Sequence, residues 1–201
     1  MREPLSRYQV EMVQKKSRFI GVLCPACGVD EAQTQKAKVA AEFPDAKHIA
    51  YAYRVMDEGQ IKVRFFDAGE PSGTAGKPIF AHIEGKDLIN CIIFVIRYFG
   101  GIKLGAGGLV RAYGETAKLA LEAASSELVE YVEWSYFRVS LSYGDLDRFK
   151  FFLKSKGIKL VEEIFLEDVS LLIAIKSSIA FEILPELTQM LSGVSPEPVA
   201  P

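Results

Sequence analysis

Apolar and polar residues alternate along the first third of the chain in the way that paired β-strands require. A half-buried strand points successive side chains to opposite faces of its sheet, so such segments alternate and are separated by short polar turns. The pattern predicts strands at 7–13, 17–23, 47–55 and 61–66. Between the second and third of these strands, Asp30 is a candidate N-cap for a helix from Glu31 to Phe43, with Pro44 just beyond its end.

An uninterrupted apolar run follows near the middle of the chain. Residues 88–96 (LINCIIFVI) are almost entirely apolar, which predicts a strand that is buried on both faces of its sheet. A short helix is predicted near 76–84. A longer helix is predicted at about 108–124, because its apolar residues recur at helical spacing.

The pattern changes near residue 131 to the order β-α-β-β-α. Strands are predicted at 134–143, 158–165 and 169–176, with helices from Asp145 to about Lys156 and from Ala180 to Leu191. This order predicts a small ferredoxin-like α+β sandwich. The tail SPEPVAP is expected to be loose. We therefore predict an α+β protein with two domains, at 1–130 and 131–201.

Composition and charge narrow the classes of function. A chain of 201 residues with 49% apolar and 25% charged residues has room for two small buried cores. Its net charge of −2 gives no global attraction to nucleic acid or membranes, so such binding needs a local basic patch. The N-terminus has no apolar leader, and the run Cys91 to Ile96 is too short to span a bilayer. The three cysteines, an odd number, do not suggest a disulfide framework, which favours the reducing cytoplasm. We expect no contact with membranes, and the oligomeric state stays open.

Two glycine-rich segments, 67–78 (DAGEPSGTAGKP) and 97–114 (RYFGGIKLGAGGLVRAYG), contain more than half of the 16 glycines. Each leads from a predicted strand into a predicted helix, whose first N–H groups are free to bind an anion. The second segment adds Arg97, Lys103 and Arg111 and has no acidic residue. Basic, aromatic and glycine-rich residues together favour contact with RNA or phosphate. The alternative is architectural: glycines serve turn geometry and the aromatic rings belong to the core.

The first segment also contains polar side chains that are suited to binding or catalysis. Asp67 and Glu70 are a candidate carboxylate pair, and Ser72, Thr74 and Lys77 are placed to surround a phosphate. The segment is not a Walker A loop, because Pro78 follows Gly76-Lys77. Without a companion motif, hydrogen bonding at the surface is favoured over metal binding or acid–base catalysis. We predict no catalytic residue, no metal and no cofactor, and leave open whether the protein is an enzyme.

The strings GEPSGTAGKPI and IRYFGGIKLGAGGLVRAYG, with KKSRFIG at 15–21 and AKHIAYAYR at 46–54, resemble the signature of the YigZ/IMPACT family. The resemblance covers roughly residues 7–124, and the remaining third is similar to the family's bacterial C-terminal domain. It implies an N-terminal domain like that shared by a small-subunit ribosomal protein and domain IV of elongation factor G. It also implies a ferredoxin-like C-terminal domain similar to domain V of that factor, and no established catalytic activity.

The resemblance also suggests a function and a set of positions. Eukaryotic relatives regulate translation by binding the activator of a kinase that phosphorylates an initiation factor. That partner is not carried over to this sequence, because those relatives have an extra N-terminal domain that is not seen here. We therefore predict a non-enzymatic binding or regulatory protein linked to translation, whose glycine-rich basic surface contacts RNA, the ribosome or a translation factor. The alternative is an enzyme that binds a phosphate-bearing small molecule or nucleotide at the same loops. The candidate binding residues are His48, Tyr53, Asp67, Glu70, Ser72, Thr74, Lys77, Arg97, Tyr98, Lys103, Gly105, Gly107, Gly108 and Arg111.

One position departs from the family pattern. Relatives usually carry two acidic residues before Gly-Glu-Pro, whereas here the second is Ala68. A mechanism that needs an acidic pair at 67–68, such as a metal site with two carboxylates, is therefore disfavoured.

Overall fold

A computed structural model describes residues 1–199 and divides the chain into two compact units, Met1–Tyr131 and the part that begins at Val132. Each unit combines a sheet with helices, so the protein has a mixed α/β two-domain fold.

The first unit is built on a five-stranded sheet whose neighbouring strands are all antiparallel. Its elements in chain order are β1 (Arg2–Pro4), β2 (Tyr8–Gln14), β3 (Ser17–Pro25), α1 (Gly28–Glu42), β4 (His48–Asp57), β5 (Gln60–Phe66), α2 (Gly76–Gly85), β6 (Cys91–Tyr98), α3 (Ala106–Ala123) and β7 (Leu128–Glu130). The strand order is β2-β3-β6-β4-β5, and β1 pairs with β7 in a separate two-stranded sheet.

The central strand β6 is buried on both faces, as its apolar sequence predicts. Ile92 and Phe94 pack toward α1 on one face of the sheet. Ile93 and Val95 pack toward α2 and α3 on the other. The first unit is therefore a sheet between one helix and two helices.

The β2–β3 hairpin forms where the alternation predicts it. Lys15 and Lys16 both have positive φ angles, of 45° and 63°, which gives a two-residue turn whose twist matches that of the strands. The β4–β5 hairpin likewise turns at Glu58 and Gly59, which also have positive φ angles.

The starts of β6 and α1 differ from the expectation for local reasons. Strand β6 starts at Cys91 and not at residue 88, because Asn90 has a positive φ of 53° and its side chain bonds outside the ladder, to Met56 N–H (3.0 Å) and to the Glu3 carboxylate (2.8 Å). Helix α1 starts at Gly28, so the prediction of Asp30 as its N-cap was wrong. The Glu31 carboxylate accepts the N–H of Cys27 (2.7 Å) and thereby satisfies a donor at the helix start.

The second unit is a four-stranded sheet with two helices. Its elements are β8 (Trp134–Leu141), a 3₁₀ turn (Tyr143–Asp145), α4 (Leu146–Ser155), β9 (Lys159–Phe165), β10 (Val169–Lys176), α5 (Ser177–Met190) and β11 (Glu197–Val199). The strand order is β11-β8-β10-β9, and every neighbouring pair is antiparallel. Buried side chains of both helices, such as Phe149 and Leu187, join those of the central strands in one core.

The expectation of a loose tail was wrong for Glu197–Val199, which pairs with β8 as an edge strand. This pairing satisfies backbone groups along the outer side of β8 that would otherwise lack partners. Residues 200 and 201 of the same tail lie outside the described residues. No helix within residues 1–199 has the length and apolar character needed to cross a membrane.

Candidate functional site

Asp67 organises the first glycine-rich segment. Its Oδ1 accepts the N–H groups of Ala75 (2.9 Å) and Gly76 (2.8 Å), and its Oδ2 accepts that of Gly73 (2.9 Å). Burial raises the pKa of this carboxyl, but the three backbone donors outweigh burial, so the pKa lies below its ordinary value. The carboxylate thus satisfies the N-terminus of α2 from within the chain.

Glu70 joins this first segment to the second one. Its Oε1 accepts a bond from Arg97 Nη1 (2.6 Å) and another from the Tyr113 hydroxyl (2.8 Å). The side chains of Glu70 and Arg97 are only 5% and 8% exposed. Burial and then the charge of Glu70 raise the pKa of Tyr113, so its hydroxyl remains a proton donor. The two glycine-rich segments therefore meet at a buried, charge-assisted cluster.

Arg97 is held from both sides by aromatic rings. Its guanidinium carbon lies 5.7 Å from the ring centre of Phe19 and 5.4 Å from that of Phe99. Because Phe19 is buried and Phe99 is exposed, Arg97 fills the space beneath an outward-facing ring. The structure thus gives Arg97 an internal partner, whereas the sequence suggested a free cation.

The second segment is fixed by a close approach of backbones. A Cβ atom built on Gly100 would lie 1.9 Å from the carbonyl oxygen of Lys16, so only glycine fits there. The Gly100 N–H donates to Ser17 Oγ (3.2 Å). At the end of this loop, Gly105 precedes α3 with a φ of 73°, and the first turn of α3 carries no acidic side chain.

Several predicted residues are engaged inside the first unit. The His48 Nδ1 donates to the carbonyl of Ala68 (2.9 Å), since a carbonyl can only accept. Thr74 Oγ1 donates to the carbonyl of Pro71 (2.6 Å). The Tyr98 hydroxyl bonds to Asp45 (3.0 Å). Each of these three side chains therefore makes a hydrogen bond within the first unit.

The other predicted residues divide between core and solvent. Tyr53 is buried on the α1 side of the sheet, where its ring stacks with that of Tyr51 at 6.5 Å. Gly108 is buried against Leu104. The predicted residues that face solvent are Ser72, Lys77, Lys103, Gly105, Gly107 and Arg111.

Five cations lie exposed around the two segments: Lys15, Lys16, Lys77, Lys103 and Arg111. We call these five residues the basic loop surface. Within residues 1–199, none of them makes an ion pair. The sequence analysis named the last three as candidates. Lys15 and Lys16 join them because the backbone of Lys16 lies against Gly100 of the second loop.

A groove of about 640 Å³ runs between β2, α2 and α3. Gln14, Pro78 and Arg111 line it, so the turn that carries Lys15 and Lys16 lies at one side and Lys77 at another. His82 also lines it, and burial keeps the pKa of its imidazole below the ordinary value. No local pattern in the sequence predicts this groove, because its walls come from three separate elements.

Comparison with known proteins gives consistent matches over both units. The family model described as Impact N-terminal domain matches residues 15–121, and that of a domain of unknown function, DUF1949, matches residues 139–194. An "IMPACT family member" of Haemophilus influenzae is 35% identical over 191 residues, which is 94% of this chain and 92% of the relative. "IMPACT family member YigZ" of Escherichia coli is 43% identical over 123 residues, which is 58% of this chain and 60% of that protein, less than two thirds of its length.

A solved structure shows the same overall fold. The protein titled "Crystal structure of an hypothetical protein" is 31% identical to this chain and has a TM-score of 0.67. The match covers 100% of this chain and 96% of that one.

Proposed function

We propose that this chain, which belongs to the IMPACT family, is a non-enzymatic regulatory protein that contacts RNA through the basic loop surface. We propose that the protein acts in translation, because the eukaryotic relatives that it resembles regulate translation. The observation that carries the proposal is the group of five exposed cations around the converging glycine-rich segments.

The local distribution of charge supports an anionic partner for this surface. The five cations of the basic loop surface make no ion pair within residues 1–199, and the second loop contains no acidic residue. An unneutralised cluster of this kind attracts phosphates locally, although the whole molecule is weakly negative.

An exposed aromatic ring supports RNA over a simple phosphate. Phe99 is 55% exposed in the second loop, and Arg97 lies beneath its ring at 5.4 Å. A ring held in this way offers a platform on which an unpaired base can stack, while nearby cations meet the backbone phosphates.

The folds of the two units bear on the same proposal. The strand order β11-β8-β10-β9, with both helices in crossover positions, is the order expected of a ferredoxin-like split β-α-β sandwich. We propose that the second unit has this fold, similar to domain V of elongation factor G, and that the first resembles domain IV. These likenesses support a translational setting only by analogy.

The test is RNA binding measured by fluorescence anisotropy over a salt series. The probe is a fluorescein-labelled single-stranded RNA, and the variant is Lys16→Ala/Lys103→Ala/Arg111→Ala, with Arg97 retained because it is buried. Each lost phosphate contact lowers the slope of log K against log salt by about 0.7 for a single strand, so we expect a fall of about 2.

Lys118→Ala is the matched control. It removes one cation from the same helix as Arg111, but Lys118 already pairs with Glu115 (3.3 Å) and Glu122 (3.8 Å). We expect it to bind RNA as the wild type does. An affinity that is insensitive to salt, or a triple variant with wild-type binding, would rule out RNA contact at this surface.

A further inference from the structure

A second concavity lies on the opposite face of the sheet, between α1, the start of β4 and the end of β5. It has a volume of about 370 Å³, within the range of small-molecule sites. Its polar and aromatic lining consists of Lys36, Lys47, Tyr51 and Phe66, and no carboxylate lines it. Because α1 packs on the other side of β6 from α2 and α3, this cleft is separate from the groove beside the basic loop surface.

The two lysines of the cleft lack acidic partners. Lys36 Nζ lies 5.4 Å from the ring centre of Tyr51, and neither Lys36 nor Lys47 makes an ion pair within residues 1–199. Two neighbouring carboxylates are engaged elsewhere: Asp45 with the Tyr98 hydroxyl (3.0 Å) and Glu42 with Arg7 (2.6 Å). The rim of the cleft therefore carries a positive charge that the chain does not neutralise.

The aromatic side chains provide a stacking surface and a hydrogen-bonding group. Phe66 is 48% exposed, with its ring centre 5.5 Å from that of Tyr51. Tyr51 is 98% buried, yet its hydroxyl makes no hydrogen bond to any of the described residues. Among residues 1–199 the one buried side-chain N or O atom without a hydrogen-bond partner is Nε of Arg97, so the Tyr51 hydroxyl is open to solvent at the cleft surface, where a ligand can bond to it in place of water.

We propose that this cleft binds a nucleotide. The base stacks on Phe66, the phosphate is held between Lys36 and Lys47, and the Tyr51 hydroxyl bonds to the ligand. An acidic peptide would satisfy the lysines but would bring no planar face to the exposed ring, so the combined chemistry favours a nucleotide. The same chemistry is offered by a free mononucleotide and by one residue of a single-stranded RNA. This inference does not rest on the proposed RNA contact at the basic loop surface.

The test uses the full chain and two kinds of probe. ATP, GTP, CTP and UTP are titrated separately by calorimetry, and a fluorescein-labelled single-stranded RNA of about ten nucleotides is titrated by anisotropy. We expect Phe66→Ala to weaken binding about tenfold, the effect of one lost stacking contact. Lys36→Ala/Lys47→Ala should weaken it by about tenfold or more, since both phosphate contacts are removed.

Tyr51→Phe separates a binding role from a structural one. It removes only the hydroxyl, which has no hydrogen-bond partner in residues 1–199, so the melting temperature should not fall. We expect affinity to fall by about threefold to tenfold, the effect of one lost hydrogen bond. The matched control is Lys38→Ala, an exposed lysine of the same helix that does not line the cleft.

The outcomes distinguish the sources of the ligand. Mononucleotide binding that is lost in the cleft variants, but retained in Lys16→Ala/Lys103→Ala/Arg111→Ala, supports an independent nucleotide site. Binding only of the RNA, weakened by the cleft variants, supports a subsite for one base of a bound strand. No binding of either probe at millimolar nucleotide, or wild-type affinity in all cleft variants, overturns the inference and leaves the proposal for the basic loop surface intact.

Discussion

At the scale of single residues, the structure separates charged side chains that face solvent from those that face the core. The sequence grouped Arg97 with Lys103 and Arg111, because all three follow one another in a basic, glycine-rich stretch. The structure buries Arg97 at the end of β6 and leaves the other two exposed. Nothing local marks this difference, since it arises from Glu70, which lies 27 positions away along the chain.

Replacement of Arg97 should therefore lower the free energy of unfolding. Arg97→Ala leaves Glu70 buried without its cation, and we expect a loss of about 3–5 kcal/mol in the free energy of unfolding, measured by urea denaturation. Lys118→Ala, which breaks an exposed ion pair, should cost no more than about 0.5 kcal/mol. A wild-type urea midpoint for Arg97→Ala would show that this buried pair does not hold the two loops together.

At the scale of elements, the spacing of apolar and polar residues predicted the long strands and the helices well. It missed β1, β7 and β11, because three residues are too few to display a period and these strands form only when a distant edge accepts them. It also could not show that Asp67 satisfies the start of α2, since a carboxylate nine residues before a helix carries no local capping signal. The resemblance named Asp67 without giving this role.

Stability of the first loop should depend on pH through Asp67. Its pKa in the folded state lies below the value of about 3.9 expected in the unfolded chain, so its contribution is complete above that value. The contribution is lost as the pH falls through the folded pKa. We expect Asp67→Asn to unfold more easily at neutral pH, by about 1–2 kcal/mol because the carboxylate is partly solvated, and the gap to wild type to narrow below about pH 4.

Thermal denaturation at a series of pH values measures this gap. Amide exchange at Gly73, Ala75 and Gly76 reports the same loop directly, since these three N–H groups donate to Asp67. A gap that stays constant from neutral to acid pH would contradict the role of the carboxylate charge.

At the scale of the whole molecule, the two units have separate cores. Two clusters of buried residues lie on the two faces of the sheet in Met1–Tyr131, and a third lies within the unit that begins at Val132. The sequence anticipated a change of pattern near residue 131. It could not reveal the cleft between α1 and the β4–β5 hairpin, because concavity depends on how helices sit on a sheet.

The first unit should fold when expressed alone. A fragment of residues 1–131 keeps both faces of its sheet covered and both members of the β1–β7 pair. We expect a dispersed amide NMR spectrum and a single cooperative thermal transition. A collapsed spectrum with random-coil shifts would show that this core is not sufficient.

Strand β5 has one further consequence, for the behaviour of the protein in solution. It forms an edge of the sheet, and it exposes Ile61, Val63 and Phe65 in alternation with Lys62 and Arg64. An exposed edge with apolar side chains is a template for adding strands of other molecules, and like charges on it keep two such edges apart. Salt screens that repulsion, so concentrated samples should self-associate first as ionic strength rises, with β5 as the place where aggregation begins.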